Sequence, residues 1–378
     1  MRIGIDAREL VGRSTGAGRY LGGLLLQWAT DEGARSHEFL LYAPEPIGLP
    51  LDARRFPTRE VRGTGGWRWE QMQVPQAAAA DHLDVWFAPA YTAPLRLTAP
   101  MVAAIHDISF VAHPEWFRVR EGVRRRWLTR QTAQAAHSVV TISEFTKREL
   151  IDRLDVPAEK IHVIPPGVGS GADASVTSVP SVAANPKSLI PNPNRVLYAG
   201  SIFNRRHVPD LVRAFGPIAR AHPDAVLDLV GDNRSYPLED LERTIAGEGL
   251  HGAVHWHSYV TDDQLRSLYA NARAFAFLSD YEGLGLTPLE ALSAGVPPVL
   301  LDTPVARESC GDAALYVRPH DLPAVTRALE AILFNEDTRR RLLDAAPAVL
   351  ARYSWPRAAR ETLEVLCSAG RSGLRTPD

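Results

Sequence analysis

Short apolar runs alternate along this chain with longer stretches in which apolar residues recur at helical spacing. The runs at 3–5, 39–42, 84–87, 101–105 and 139–142 read as buried strands. After the first comes a glycine-rich loop at 12–18 and then an apolar helix through Trp28, which is how a doubly wound α/β domain opens. Residues 67–71 start a further helix ending near 77–80, and 161–168 closes this first part. The patterning then stops. Residues 169–194 are rich in Ser, Ala, Pro, Asn and Gly without periodicity, the composition of a linker. From 195 the strand, loop, helix order restarts, with strands at 195–199, 225–230, 254–260 and 274–278, a loop at 200–207, and a helix opened by Val208-Pro209. One grammar repeated on either side of a linker predicts two α/β domains, 1–168 and 195–355, with a ligand cleft between them and a last helix in 356–378.

Composition narrows this picture. A length of 378 residues exceeds what one hydrophobic core usually serves, and a formal charge of -2 argues against nucleic acid as the main partner. Cys310 and Cys367 are the only cysteines, so neither a disulfide framework nor a cysteine metal cluster is indicated. The chain enters its first strand at once and has no apolar run long enough for a membrane span, so the expectation is a cytoplasmic protein. Lysine occurs only at 147, 160 and 187.

The candidate chemistry centres on Glu282-Gly283-Leu284-Gly285-Leu286-Thr287, between the strand at 274–278 and a helix that Thr287-Pro288 opens and Gly295 and Pro297 stop. Glycines there let the backbone approach a ligand, and the free N–H groups of a first helical turn favour a phosphate. Glu282 precedes that turn and Glu290 lies within the helix, so two carboxylates and a ring of amides suit a nucleotide sugar. A solvated pair of glutamates is the ordinary alternative. Arg205 and Arg206, ahead of another helix, can grip a diphosphate, although adjacent surface arginines are common. His106 ends a strand at the sheet edge where sites form, though a lone histidine is more often structural. Gly16-x-Gly18-x3-Gly22 has the wrong spacing for a dinucleotide fingerprint. The arginines among 118–130, with Trp127, read either as a solvated helix face or as a surface for an anionic membrane or acceptor.

Glu-x7-Glu within EGLGLTPLEALSAGVPPV closely resembles the signature of the retaining nucleotide-sugar glycosyltransferases of family 4, whose GT-B fold consists of two facing Rossmann-like domains with an interdomain cleft. GIDAR at 4–8, the Gly16, Gly18, Arg19, Tyr20 group, His106-Asp107, and the stretches 139–147 and 161–168 look like the same family. Arg205-Arg206-His207 stands where the family usually has Arg-Lys-Asn, which leaves the phosphate geometry open. The resemblance implies that His106, Glu282, Arg205 and Arg206 form the catalytic set. It places donor contacts at Ser201, Ser258, Tyr259, Val260, Gly283, Leu284, Gly285, Leu286, Thr287 and Glu290. Gly16, Gly18, Arg19 and Tyr91 would form an acceptor or phosphate loop, and the final helix would cross back to the first domain.

The same resemblance implies retention, no metal and no cofactor, with a nucleoside diphosphate sugar as co-substrate. GIDAREL, AIHDISF and VTISEFTKRELI look most like a mannosyltransferase-like branch that builds surface polysaccharides, which favours GDP-mannose and a saccharide or polyprenyl-diphosphate-linked acceptor, met at the inner face of the membrane. A pyridoxal-phosphate phosphorylase shares the fold but needs a Schiff-base lysine in its second domain, and none follows Lys187. A disaccharide-forming or phosphorolytic relative and a non-catalytic sugar-nucleotide-binding module stay open.

Overall fold

The computed structural model describes residues 1–12, 16–169 and 194–373, which separate into two compact units, 1–169 with 353–373 and 194–352. The stretch read as a linker lies, apart from its two ends, outside the described residues, as does the end of the chain after 373.

The first unit is built on seven strands: β1 (Arg2–Asp6), β2 (Glu38–Ala43), β3 (Thr58–Glu60), β4 (Val85–Ala88), β5 (Met101–Ala104), β6 (Ser138–Thr141) and β7 (Ile161–Val163). They form one parallel sheet in the order β3-β2-β1-β4-β5-β6-β7, with Ile3 level with Phe39 on one side and Val85 on the other. Strands buried on both faces need continuous apolar runs, and β4 and β5 are buried at every position. The helices are α1 (Gly16–Thr30), α2 (Val74–Ala78), α3 (Ser109–Ala112), α4 (Val119–Ala135) and α5 (Glu144–Leu154). Ser143 caps α5 by accepting from the Thr146 N–H.

The second unit repeats the plan with β8 (Arg195–Ala199), β9 (Val226–Val230), β10 (Val254–His257), β11 (Ala274–Phe277), β12 (Pro298–Leu301) and β13 (Leu315–Val317). These six are parallel in the order β10-β9-β8-β11-β12-β13. Its helices are α6 (Val208–Ala221), α7 (Leu241–Gly247), α8 (Asp262–Asn271), α9 (Leu286–Ser293), α10 (Pro304–Cys310), α11 (Leu322–Phe334) and α12 (Glu336–Leu350). Thr261 and Gln264 form a capping box at α8.

The last helix, α13 (Trp355–Gly373), packs on α1 of the first unit, where the Trp28 indole N–H donates to the Ala359 carbonyl at 2.9 Å. In each sheet the chain leaves two adjacent central strands, β1 and β4 or β8 and β11, toward opposite sides. This is where loops splay apart and ligands bind in open α/β sheets.

Candidate active site

In the second unit the loops after β8 and β11 bring the separated residues 200–206 and 278–285 together. Gly200 and Gly231 make this possible: both have positive φ, and a Cβ on Gly231 would lie 2.0 Å from the Gly200 carbonyl oxygen. The chain after β8 then turns inward. Arg206 donates from Nε to Glu282 Oε1 at 2.8 Å and from Nη1 to the Ser201 carbonyl at 2.8 Å, and its guanidinium lies over Phe277. The Ser279 hydroxyl donates to the same Glu282 oxygen at 2.8 Å. Arg205 donates Nε to the Tyr281 carbonyl at 3.2 Å, and the Asp280 N–H returns a bond to the Arg205 carbonyl at 2.9 Å. Burial pushes the Glu282 carboxyl up, but the charges of Arg206 and Arg205, with the bonds from Arg206 and Ser279, outweigh it and hold the carboxyl below its ordinary value. Glu282 is therefore an ionised carboxylate in a largely enclosed site, and it is not a loose loop residue.

Gly285 caps α9 in a left-handed conformation, φ 84. Its lack of a Cβ permits this, and the N–H groups of Leu286 and Thr287, in the first turn, have no partner within the helix. Gly283 and Leu284 are buried beneath the turn. Glu290, one helical face further on, accepts from the Tyr269 hydroxyl of α8 at 3.4 Å. Ser258, Tyr259 and Val260 follow β10, two strands away from β8, and the first two are exposed.

In the first unit, His106 stands at the carboxyl end of β5. Its ring packs edge-on against Tyr20, centroids 4.5 Å apart, and against Tyr91 at 5.9 Å. Nε2 lies 2.9 Å from the Pro89 carbonyl oxygen, which can only accept, so the proton is on Nε2. Nδ1 keeps a bare lone pair and has no hydrogen-bond partner among the described residues. Burial lowers its pKa to about 4, against the Pro89 bond and the Asp107 charge, which both raise it. The unfolded chain takes this proton near 6.5, so native stability should fall as pH drops below 6.5 and level off near 4, a loss of about 3 kcal/mol. Thermal melts at pH 7 and 4.5 check this: the difference between the two should shrink in His106→Gln, and an unchanged difference would contradict it.

Tyr91, itself at φ 62, donates its hydroxyl to Asp107 Oδ2 at 3.1 Å, and Asp107 Oδ1 accepts from the Ser109 N–H as a turn cap. Gly16, Gly18 and Arg19, read above as a loop, are instead the first turn of α1. A first turn has no intrahelical N–H bonds to lose, so glycines there cost little, and the buried Tyr20, Leu21, Leu24, Leu25, Trp28 face fixes the helix behind them.

The run of arginines is also corrected. Gly122, Leu128 and Thr129 of α4 are buried, and that phase turns Arg125 and Arg126 inward with them. Arg125 lies over the rings of Tyr91 and Phe110, Arg126 reaches the Phe110 carbonyl, and Arg130 pairs with Asp155. Only Val123, Arg124, Trp127 and Arg130 of residues 122–130 are exposed.

Asp6 and Arg8 belong to the GIDAR stretch noted above, but their partner Glu70 carried no signal in the sequence. After β1, Arg8 pairs with Asp6 at 2.8 Å and with Glu70, which also accepts from the Thr92 hydroxyl at 2.6 Å and from Gln71 at 2.9 Å. Both carboxylates are buried.

Comparison with known proteins identifies the family and the fold. The family described as "Glycosyl transferases group 1" matches residues 183–349, and "Glycosyltransferase Family 4" matches residues 15–170. The O-antigen chain mannosyltransferase B of Escherichia coli is 26% identical over 293 residues, 76% of this chain and 75% of that protein. The alpha-D-kanosaminyltransferase of Streptomyces kanamyceticus is 24% identical over 68% of each. The crystal structure of Anabaena HepE in complex with UDP and glucose superposes with a TM-score of 0.70 over 97% of this chain and 100% of that one, at 19% identity, which shows a shared fold.

Proposed function

Since the chain belongs to the group 1, family 4 glycosyltransferases and has their GT-B fold, we propose that it moves mannose from GDP-mannose to a saccharide hydroxyl with retention. The observation that carries this reading is the Arg206–Glu282–Ser279 constellation set beside the open first turn of α9. An ionised, positioned carboxylate can hold sugar hydroxyls. Arg205, Arg206 and the N–H groups of residues 285–287 can stabilise the charge that grows on the leaving diphosphate, which is the main electrostatic task of such a transfer. The bare Nδ1 of His106 suits a hydroxyl of the donor ring, and Tyr91, Gly16, Gly18 and Arg19 line the same unit for the acceptor. Glu290 and Ser258, Tyr259 and Val260 are assigned to the ribose and base. Ser201, whose carbonyl holds Arg206, completes the donor set. Since no carboxylate among the described residues of the second unit is assigned as nucleophile, we assign attack to the leaving-group face, with a diphosphate oxygen taking the acceptor proton.

Mannose is favoured by the likeness to the O-antigen mannosyltransferase; UDP-glucose is the competing donor, given the HepE complex. The test is release of nucleoside diphosphate from a panel of nucleotide sugars with excess chelator present. The largest rate is expected with GDP-mannose, and chelation should leave it intact because arginines and amides supply the positive charge. Preference for a uridine donor would overturn the mannose assignment, and complete loss restored by magnesium would overturn metal independence.

A lipid-linked acceptor has support from Val123, Arg124 and Trp127, which expose two large apolar groups and a cation on one stretch of α4. No described helix is long and apolar enough to cross a membrane. Pelleting with anionic vesicles should weaken with salt and in Trp127→Ser; indifference to both would favour a soluble saccharide acceptor.

A further inference from the structure

Beside the candidate donor loop, the second unit contains a cluster that the glycosyl transfer does not use. His207, Asp210 and His320 present ligand atoms that all lie within 4.8 Å of one another. His320 Nδ1 is 3.1 Å from Asp210 Oδ2, and His207 Nδ1 is 3.9 Å from the same oxygen. The two imidazoles meet edge to face with centroids 4.7 Å apart. They border a cleft of about 380 Å³ that Glu239 and Asp240 also line.

The orientation of His207 is fixed from outside the cluster. Its Nε2 lies 2.6 Å from Asp280 Oδ2, and a carboxylate oxygen can only accept, so Nε2 bears a hydrogen and Nδ1 faces Asp210, where a bound cation would take the place of any proton on that nitrogen. A carboxylate behind a histidine, with the opposite ring nitrogen facing other ligands, is the arrangement that orients metal-bound imidazoles and makes them better donors. Arg213 also lines the cleft and pairs with Asp210 Oδ1 at 2.9 Å, which leaves Oδ2 to face the two histidines, and Glu239 adds a carboxylate oxygen that is withdrawn from solvent and has no hydrogen-bond partner among the described residues.

We propose that His207, Asp210 and His320 bind a divalent transition cation of the zinc, cobalt and nickel class, with water completing its coordination on the cleft side. Two imidazoles and one carboxylate select this class over magnesium or calcium, which take oxygen ligands. Around a tetrahedral ion, ligand atoms stand roughly 3.3–3.5 Å apart. The His320–Asp210 pair, at 3.1 Å, is already near that spacing; the 3.9 Å between His207 Nδ1 and Asp210 needs a small shift of the Asp210 carboxylate, and the exposed His320 side chain is free to follow it. Occupancy would tie the loop after β8, which holds Arg205 and Arg206, to the loop after β13. The three ligands come from an i,i+3 pair at the start of α6 and from a residue 110 positions away, so the local sequence shows only two of the three.

The test is titration of zinc into the tag-free protein against a chromophoric chelator, with cobalt spectra as a second readout. One equivalent should bind. Asp280→Asn should weaken binding about 10–100-fold, the usual effect of losing a ligand's outer partner. His320→Ala and Asp210→Asn should weaken it further and remove the tetrahedral cobalt bands. His255→Ala, at the exposed histidine 3.5 Å from Asp228, should change nothing. Absence of a stoichiometric site, or binding that survives in His320→Ala and disappears in His255→Ala, would overturn the proposal. These readouts need no sugar donor, so they stand or fall apart from the transferase reading.

Discussion

Glu282→Gln should lower transfer at least about 100-fold while the protein stays folded. Glutamine has the same shape and keeps an oxygen for the Arg206 Nε and the Ser279 hydroxyl, each 2.8 Å away, so the exchange removes charge and little else. Glu282→Ala is a worse probe. It leaves the buried Arg206 guanidinium without its partner, and breaking a buried ion pair from one side costs about 3–5 kcal/mol, so lost activity and lost stability would be confounded. Melting temperature and turnover of both variants separate the two effects. A Glu282→Gln enzyme with nearly parental turnover would remove Glu282 from the donor site and reduce its bond to Arg206 to a structural brace.

Arg8→Met should be the most damaging single change to stability in the first unit. Arg8 lies between two buried carboxylates, Asp6 and Glu70, and methionine would leave both without a cation, at a cost of about 3–5 kcal/mol near neutral pH. The loss should depend on pH in a definite direction. Burial raises the Asp6 pKa to about 6 even with Arg8 pulling it down, and Glu70 adds to the rise. A folded pKa above the ordinary 3.8 means that the native state takes up a proton as pH falls through 6, so the unfavourable contribution of this carboxylate is greatest above 6 and fades below it. Removal of Arg8 raises that pKa further. Denaturant melts should therefore show a larger gap between variant and parent at pH 8 than at pH 5; a gap that widened toward acid would contradict the assignment of Arg8 as the neutralising group.

The parts of this molecule legible in its sequence are those fixed by local pattern. Buried parallel strands such as Ala274–Phe277 must be continuous apolar runs, and Gly285 ahead of Thr287-Pro288 is a helix entry whatever surrounds it. Pairings between elements leave no such trace. Glu70 closes on Arg8 across 62 residues, and nothing in the stretch around it distinguishes it from a solvated glutamate. The arginines of α4 read as one charged face, but the helix phase set by Gly122, Leu128 and Thr129 divides them, sending Arg125 onto Tyr91 and Phe110 and leaving Arg124 outside. In the same way Arg206 and Glu282, chosen separately as candidate groups, turn out to be bonded to each other across 76 residues. That pairing makes the arginine part of what holds the carboxylate ionised.

Backbone hydrogen exchange with and without GDP and UDP tests the central claim most directly, because the proposed site is defined by amide groups as much as by side chains. The account predicts that the preferred nucleoside diphosphate slows exchange in residues 200–206 and 283–290 of the parent, and that Arg205→Ser sharply weakens this protection. Protection confined to other segments, or no protection by either nucleotide at saturating concentration, would contradict it.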